Sequence, residues 1–122
     1  MKSFPSKVLL TLLLSFAVTL TMNAQIPDGF TGTWDQKAPD APEYETAKVV
    51  IEKQSISTTF TNGSFNTVEK VKYESDTLRF NMDVDGEYVS CYLTVKDKTN
   101  LIGYATWSTG KTDLILSRTK DE

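Results

Sequence analysis

Beyond Phe30 the apolar residues alternate with polar ones, and nowhere do they recur every third or fourth position as a helix would require. Short runs rich in Val, Ile, Thr, Phe and Tyr are separated by Gly, Asn, Asp and Ser. This period of two predicts strands at 30–36, 46–53, 55–61, 65–74, 77–84, 87–95, 101–107 and 111–119. The connections are short, so neighbours in sequence are expected to be antiparallel neighbours in space. The predicted class is all-β: a small eight-stranded up-and-down antiparallel barrel, closed by pairing of its first and last strands. No internal repeat or low-complexity linker interrupts it.

The turns assign each side chain to a face. Asp85-Gly86 is a two-residue hairpin signal of the I′ type, which pairs Val84 with Glu87, Met82 with Val89, Phe80 with Cys91 and Leu78 with Leu93. Directly opposed residues share a face, so Leu78, Phe80, Met82 and Val84 point inward with Val89, Cys91, Leu93 and Val95. Tyr88, Tyr92 and Tyr104 fall outside. Thr109-Gly110, read the same way, sets Ala105 beside Leu114, Gly103 beside Leu116 and Leu101 beside Arg118. Asn62-Gly63 pairs Phe60 with Phe65, Thr58 with Thr67 and Ile56 with Glu69, so the fourth strand would turn Phe65, Thr67, Glu69, Val71 and Tyr73 inward. That register aims a carboxylate at the lumen; a bulge near Val68 would instead rotate Glu69 outward.

In a meander, odd strands run one way and even strands return. Trp34, early in the first strand, and Arg118, late in the last, therefore meet at one end, the floor. The opposite end, the mouth, collects the long loop 37–45 and the turns at Asn62-Gly63, Asp85-Gly86 and 108–110. Gly32-Thr33-Trp34 together with Arg118 resembles the first-strand GxW signature and last-strand Arg of the lipocalins and the wider calycin group of barrels. The resemblance implies that Gly32, Trp34 and Arg118 are structural, with the guanidinium lying across the indole. It also implies that the loop carrying Pro39, Pro42 and Tyr44 is a lid over the mouth.

Residues 1–24 read as a secretory signal: Lys2 and Lys7 precede an apolar run from Val8 to Leu20, and Ala24 offers a small residue for cleavage. Residues 25–122 form the barrel domain. The run is short and polar sequence follows it, and no Cys stands at the cleavage point to carry a lipid, so no membrane anchor is expected after cleavage, and an exported protein, periplasmic or extracellular, is expected. Removing 24 of 122 residues leaves 98, the size of one small domain, with 11 basic against 16 acidic side chains and a net charge of −5. That balance argues against nucleic acid as a partner. With no His and with Cys91 the only Cys, the chain can build neither a disulfide of its own nor a His-based triad nor a thiolate or imidazole zinc site. No cofactor or metal is expected; the Asp83 to Glu87 stretch reads as a hairpin and lacks the further ligands of a calcium loop.

An enzyme would have to work with carboxylates and Tyr alone, and no pair of carboxylates stands out by spacing. The reading reached is a non-enzymatic binding protein for a small apolar or amphipathic molecule, its contacts predicted at Tyr44, Phe60, Phe65, Glu69, Met82 and Trp107. Glu69, with Thr58, Thr67 and Tyr73, would be the polar spot in a greasy lumen, and Gly103 and Ala105 would leave space for the ligand. The alternative is a protein-interaction module, a protease inhibitor or accessory subunit, using the barrel surface or an N-terminal arm at Gln25 to Asp28. Some small exported eight-stranded barrels resembling this one inhibit metalloproteases through such an arm.

Overall fold

Glu87 pairs with Val84 across Asp85 and Gly86, both at positive φ (52° and 93°), and from this I′ turn the register runs as expected through Leu78 opposite Leu93. The computed structural model describes residues 25–120; the signal-peptide expectation falls on residues 1–24, outside them. Eight strands follow in order: β1 (Gly32–Lys37), β2 (Thr46–Ile51), β3 (Ile56–Phe60), β4 (Asn66–Glu74), β5 (Thr77–Val84), β6 (Glu87–Asp97), β7 (Asn100–Trp107) and β8 (Gly110–Arg118). A single 3-10 turn, Pro42–Tyr44, lies between β1 and β2. The strands form one antiparallel sheet in the order β3-β2-β1-β8-β7-β6-β5-β4. First and last strands pair from Trp34 opposite Arg118 to Lys37 opposite Ile115, giving the nearly closed up-and-down barrel of a calycin-like fold.

The remaining opening lies between β3 and β4, consecutive strands that face each other without a ladder. One side-chain bond crosses it, Asn66 Nδ2 donating to Thr58 O at 2.9 Å. Thr58 Oγ1, beside this seam, is the one buried side-chain polar atom without a partner among the described residues.

The expected Asn62-Gly63 hairpin pairing is therefore corrected, and with it the placement of Phe65 and Glu69. The register of β4 comes from β5. Asn66 opposes inward Val84 and Val68 opposes inward Met82, so Phe65 and Glu69 fall on the outer face, Phe65 with 75% of its surface exposed. A bulge follows Glu69, with Lys70 at φ 56°, and it reverses the parity. Beyond it Tyr73 opposes inward Leu78, and Val71 and Tyr73 pack on the core as expected. Glu69 faces outward through its pairing with Asn81, ahead of the bulge, and the expected inward carboxylate is the reading overturned. The last hairpin is also corrected: its turn is Ser108-Thr109, Trp107 opposes Gly110, and Ala105 opposes Thr112. A slip of two residues keeps every side chain on its expected face.

The floor half of the barrel is solid. Trp34, Ile51, Leu78, Leu93, Leu101 and Leu116 are at most 1% exposed, and Ile26 and Phe30 fold beneath them from the segment before β1. Ile26 N donates to Lys53 O at 2.7 Å, and the Phe30 ring meets Tyr73 edge-on at 5.7 Å. This corrects the expectation of a free arm at Gln25 to Asp28, because Ile26 is buried as part of the barrel's own floor. Gly103 is corrected as well: a Cβ there would collide with the Tyr92 carbonyl, so its small size permits a close approach of β6 and β7 and leaves no lumen space. At the floor-side turn Asp97 accepts from the Thr99 amide at 2.9 Å, which, with Asn100, holds its carboxyl below the usual range.

Arg118 closes the floor. Its Cζ lies 4.2 Å from the centroid of the Trp34 ring, Nη1 donates to Thr31 O at 2.8 Å and Nε to Lys98 O at 2.9 Å. Trp34 Nε1 donates to Phe30 O at 2.9 Å. Gly32 sits at φ +131°, and a Cβ on it would strike Nη1 of the same guanidinium. Arg118→Ala is expected to cost about 2–4 kcal/mol through lost cation-π contact and two charge-assisted hydrogen bonds. Gly32→Ala is expected to cost about 1–3 kcal/mol for its backbone alone, and more for the collision. Because that collision is with Arg118, the double variant should be more stable than the sum of the single effects implies, by about 1 kcal/mol or more in urea unfolding. Strict additivity would show that the two residues do not act on each other.

Candidate functional site

The mouth half of the lumen is hollow. A cavity of about 460 Å³ opens there, walled by Phe60 of β3, Met82 and Val84 of β5, Val89 and Cys91 of β6, Ala105 and Trp107 of β7, and Leu114 of β8. The alternation that places these residues inside is the one that fills the floor; the difference is side-chain volume and the lack of a plug. Ala105 stands where the floor half has Leu101, and Thr112 opposes it. Trp107 lies over Gly110, whose missing side chain leaves room for the indole.

Residues 38–44 roof the cavity. Ala38 N donates to Glu45 O at 2.7 Å, closing the base of the loop, and the 3-10 turn continues it with Tyr44 N donating to Ala41 O at 2.8 Å. Three polar ties hold this lid to the barrel rim. Asp40 N donates to Oγ1 of buried Thr112 at 3.0 Å, Asn62 Nδ2 donates to Glu43 O, and the Tyr44 hydroxyl donates to Asp85 Oδ2 at 3.0 Å. The Asp85 bond and then burial raise the Tyr44 hydroxyl above its ordinary value, so the phenol keeps the proton it donates. Its ring packs edge-on against Phe60 at 5.4 Å.

Four of the six predicted contacts, Tyr44, Phe60, Met82 and Trp107, line this one cavity. Phe65 and Glu69 do not, for the register reason given above. Thr112 of the wall is missing from the expected contacts, while Cys91 lines the cavity from its expected inward position and Ala38 and Ala41 do so from the expected lid. Thr112 carries a usable signal, being a β-branched polar residue in the inward series with Leu114 and Leu116.

A larger depression, about 650 Å³, lies on the outer face where β5 to β8 bend around Gly103. Tyr92 and Tyr104 stack across it at 4.6 Å, beside exposed Ile102 and Ile115. The interior cavity is the candidate site despite its smaller volume, because it combines apolar walls, an aromatic rim and a tethered roof, the features of an enclosed small-molecule site. Among the described residues no three of His, Cys, Asp and Glu are gathered so as to hold a metal ion, and no helix is long and apolar enough to cross a membrane.

Cys91 lines the cavity wall, and burial pushes its thiol up to about 12. At pH 8 the reactive thiolate is then about one thiol in ten thousand. Alkylation of the folded protein at pH 8 should run at least a hundredfold slower than that of free cysteine and recover in denaturant. Rapid stoichiometric labelling without denaturant would place this thiol outside the wall. No protein family, curated protein or solved structure is found to match this chain.

Proposed function

We propose that this chain is an exported, non-enzymatic binding protein of the lipocalin-like kind that holds one small apolar or amphipathic molecule beneath its lid. The observation that carries the reading is the division of the barrel: a floor without spare volume and a roofed cavity of about 460 Å³ at the other end. That volume lies within the roughly 300–1,000 Å³ range of small-molecule pockets. Met82 and Leu114 supply apolar contact deeper in the cavity, while Phe60, against the Tyr44 ring, and the amphipathic rings of Tyr44 and Trp107 stand where solvent begins. Export rests on the signal-like sequence of residues 1–24.

A protein-interaction module draws on a different observation, the exposed Ile102, Tyr104 and Ile115 of the outer groove. It would leave the interior cavity without a purpose. One variant separates the two readings, because Ala105 reaches only the lumen. Ala105→Phe should fill the cavity and lower affinity for a hydrophobic fluorescent probe at least tenfold, with a melting temperature within a few degrees of the parent protein. Probe affinity unchanged by this substitution, or no uptake by the parent protein and no small molecule retained in native mass spectra, would end the binding reading. Tyr44→Phe keeps the ring on Phe60 and removes the tie to Asp85. It should speed probe release severalfold in stopped-flow displacement, with little change in the melting temperature.

A further inference from the structure

The ionisable side chains around the cavity are of one sign. Seventeen residues line it; Asp40, Glu43 and Glu87 are among them, and none is Lys or Arg. Asp85 adds a fourth carboxylate at the rim through its bond to Tyr44. None of the four ion pairs among the described residues involves these acids: Asp35, Asp28 and Glu74 are the carboxylates that pair with Lys or Arg. The basic residues nearest in register, Lys37 at the end of β1 and Lys111 at the start of β8, are on exposed outward positions. The charge at the mouth is therefore uncompensated from within the barrel.

The aromatic residues at the rim act in the same direction. A cation is attracted to the face of an aromatic ring, Trp being the strongest partner, and quaternary ammonium groups are recognised by such rings. Tyr44, Phe60 and Trp107 stand in the same cavity wall as the carboxylates. An anionic head group would find no donor of positive charge there and would lie close to several negative ones, whereas an amine or quaternary ammonium would meet two attractive terms.

We infer that the molecule held in the mouth is a cationic amphiphile, with its apolar body against Met82, Ala105 and Leu114 and its ammonium head at the rim among Trp107, Glu43 and Glu87. The inference rests on the binding function proposed above and fixes the chemical class of the ligand. It also fixes a salt response. A rim contact is open to solvent, and screening over a Debye length of about 8 Å at physiological ionic strength should weaken it further as salt rises.

Three probes of one chain length test it with the purified protein: decyltrimethylammonium, decanoate and neutral decyl glucoside, each below its micelle concentration and followed by the change in tryptophan fluorescence. The ammonium probe should bind at least tenfold more tightly than decanoate, and this ratio should shrink in 0.5 M NaCl. Glu87→Gln and, separately, Glu43→Gln should each lower the ammonium-to-decanoate ratio about threefold or more, the second variant guarding against a folding effect of the first. Equal affinities for the three probes, tighter binding of decanoate, or a ratio unmoved by both substitutions would overturn the charge assignment while leaving the cavity reading standing. Failure of all three probes to bind would overturn both.

Discussion

One guanidinium ties the first strand of the chain to the last. Arg118 lies across the Trp34 indole, and its donors reach the carbonyls of Thr31, before β1, and Lys98, in the turn between β6 and β7. A planar group with several N–H donors in fixed directions can satisfy a ring face and two carbonyls at once; an ammonium on a flexible stem cannot match that geometry. The space it occupies exists because position 32 has no side chain. Gly32, Trp34 and Arg118 are therefore a single device, and the pairing of β1 with β8 begins at it.

A floor fixed in this way lets the rest of the lumen differ from it. Six strand side chains, with Ile26 and Phe30 from below, exclude solvent almost completely at that end. The burial that stabilises the domain is concentrated there, at about 25 cal/mol per Å² of apolar surface. Ala105 and Thr112 can then stand opposite each other at the mouth and leave volume empty without endangering the sheet. Stability and cavity occupy different halves of one barrel.

Much of this was legible in the sequence. All eight strands follow from period-two alternation, and Asp85-Gly86 fixed the facing of β5 and β6 because both of its residues tolerate positive φ. Four site residues follow from that facing and from the direction of the strands. The register errors share one cause, the assumption that a turn signal sets the register on both its sides. Asn62-Gly63 is part of a longer loop, and β4 takes its register from β5. Its apolar positions Val68, Val71 and Tyr73, spaced three and then two, were a trace of the bulge at Lys70, since no regular strand puts all three on one face. Gly103 was misread because a small residue on an inward face has two meanings. Only the approach of the Tyr92 carbonyl shows that backbone takes the room.

The lid belongs to the same half of the molecule as the cavity, and its bonding differs in kind from that of the floor. The roof is tied at Thr112, Asn62 and Asp85 through hydrogen bonds, with Pro42 and Glu43 exposed and only Ala38 fully buried. Such bonds contribute about 0.5–1.5 kcal/mol each in water-accessible settings, because water replaces them when they break. Lifting the lid exchanges a few bonds of this kind and exposes little apolar surface, whereas opening the floor would expose Trp34, Leu93 and Leu101 together. The seam between β3 and β4 has one crossing bond where every other neighbouring pair of strands has a ladder. The roof, held by a few water-accessible hydrogen bonds, is therefore an element that opens at low cost beside the cavity. A barrel built this way can open at its mouth while the clamp at Trp34 and Arg118 stays shut.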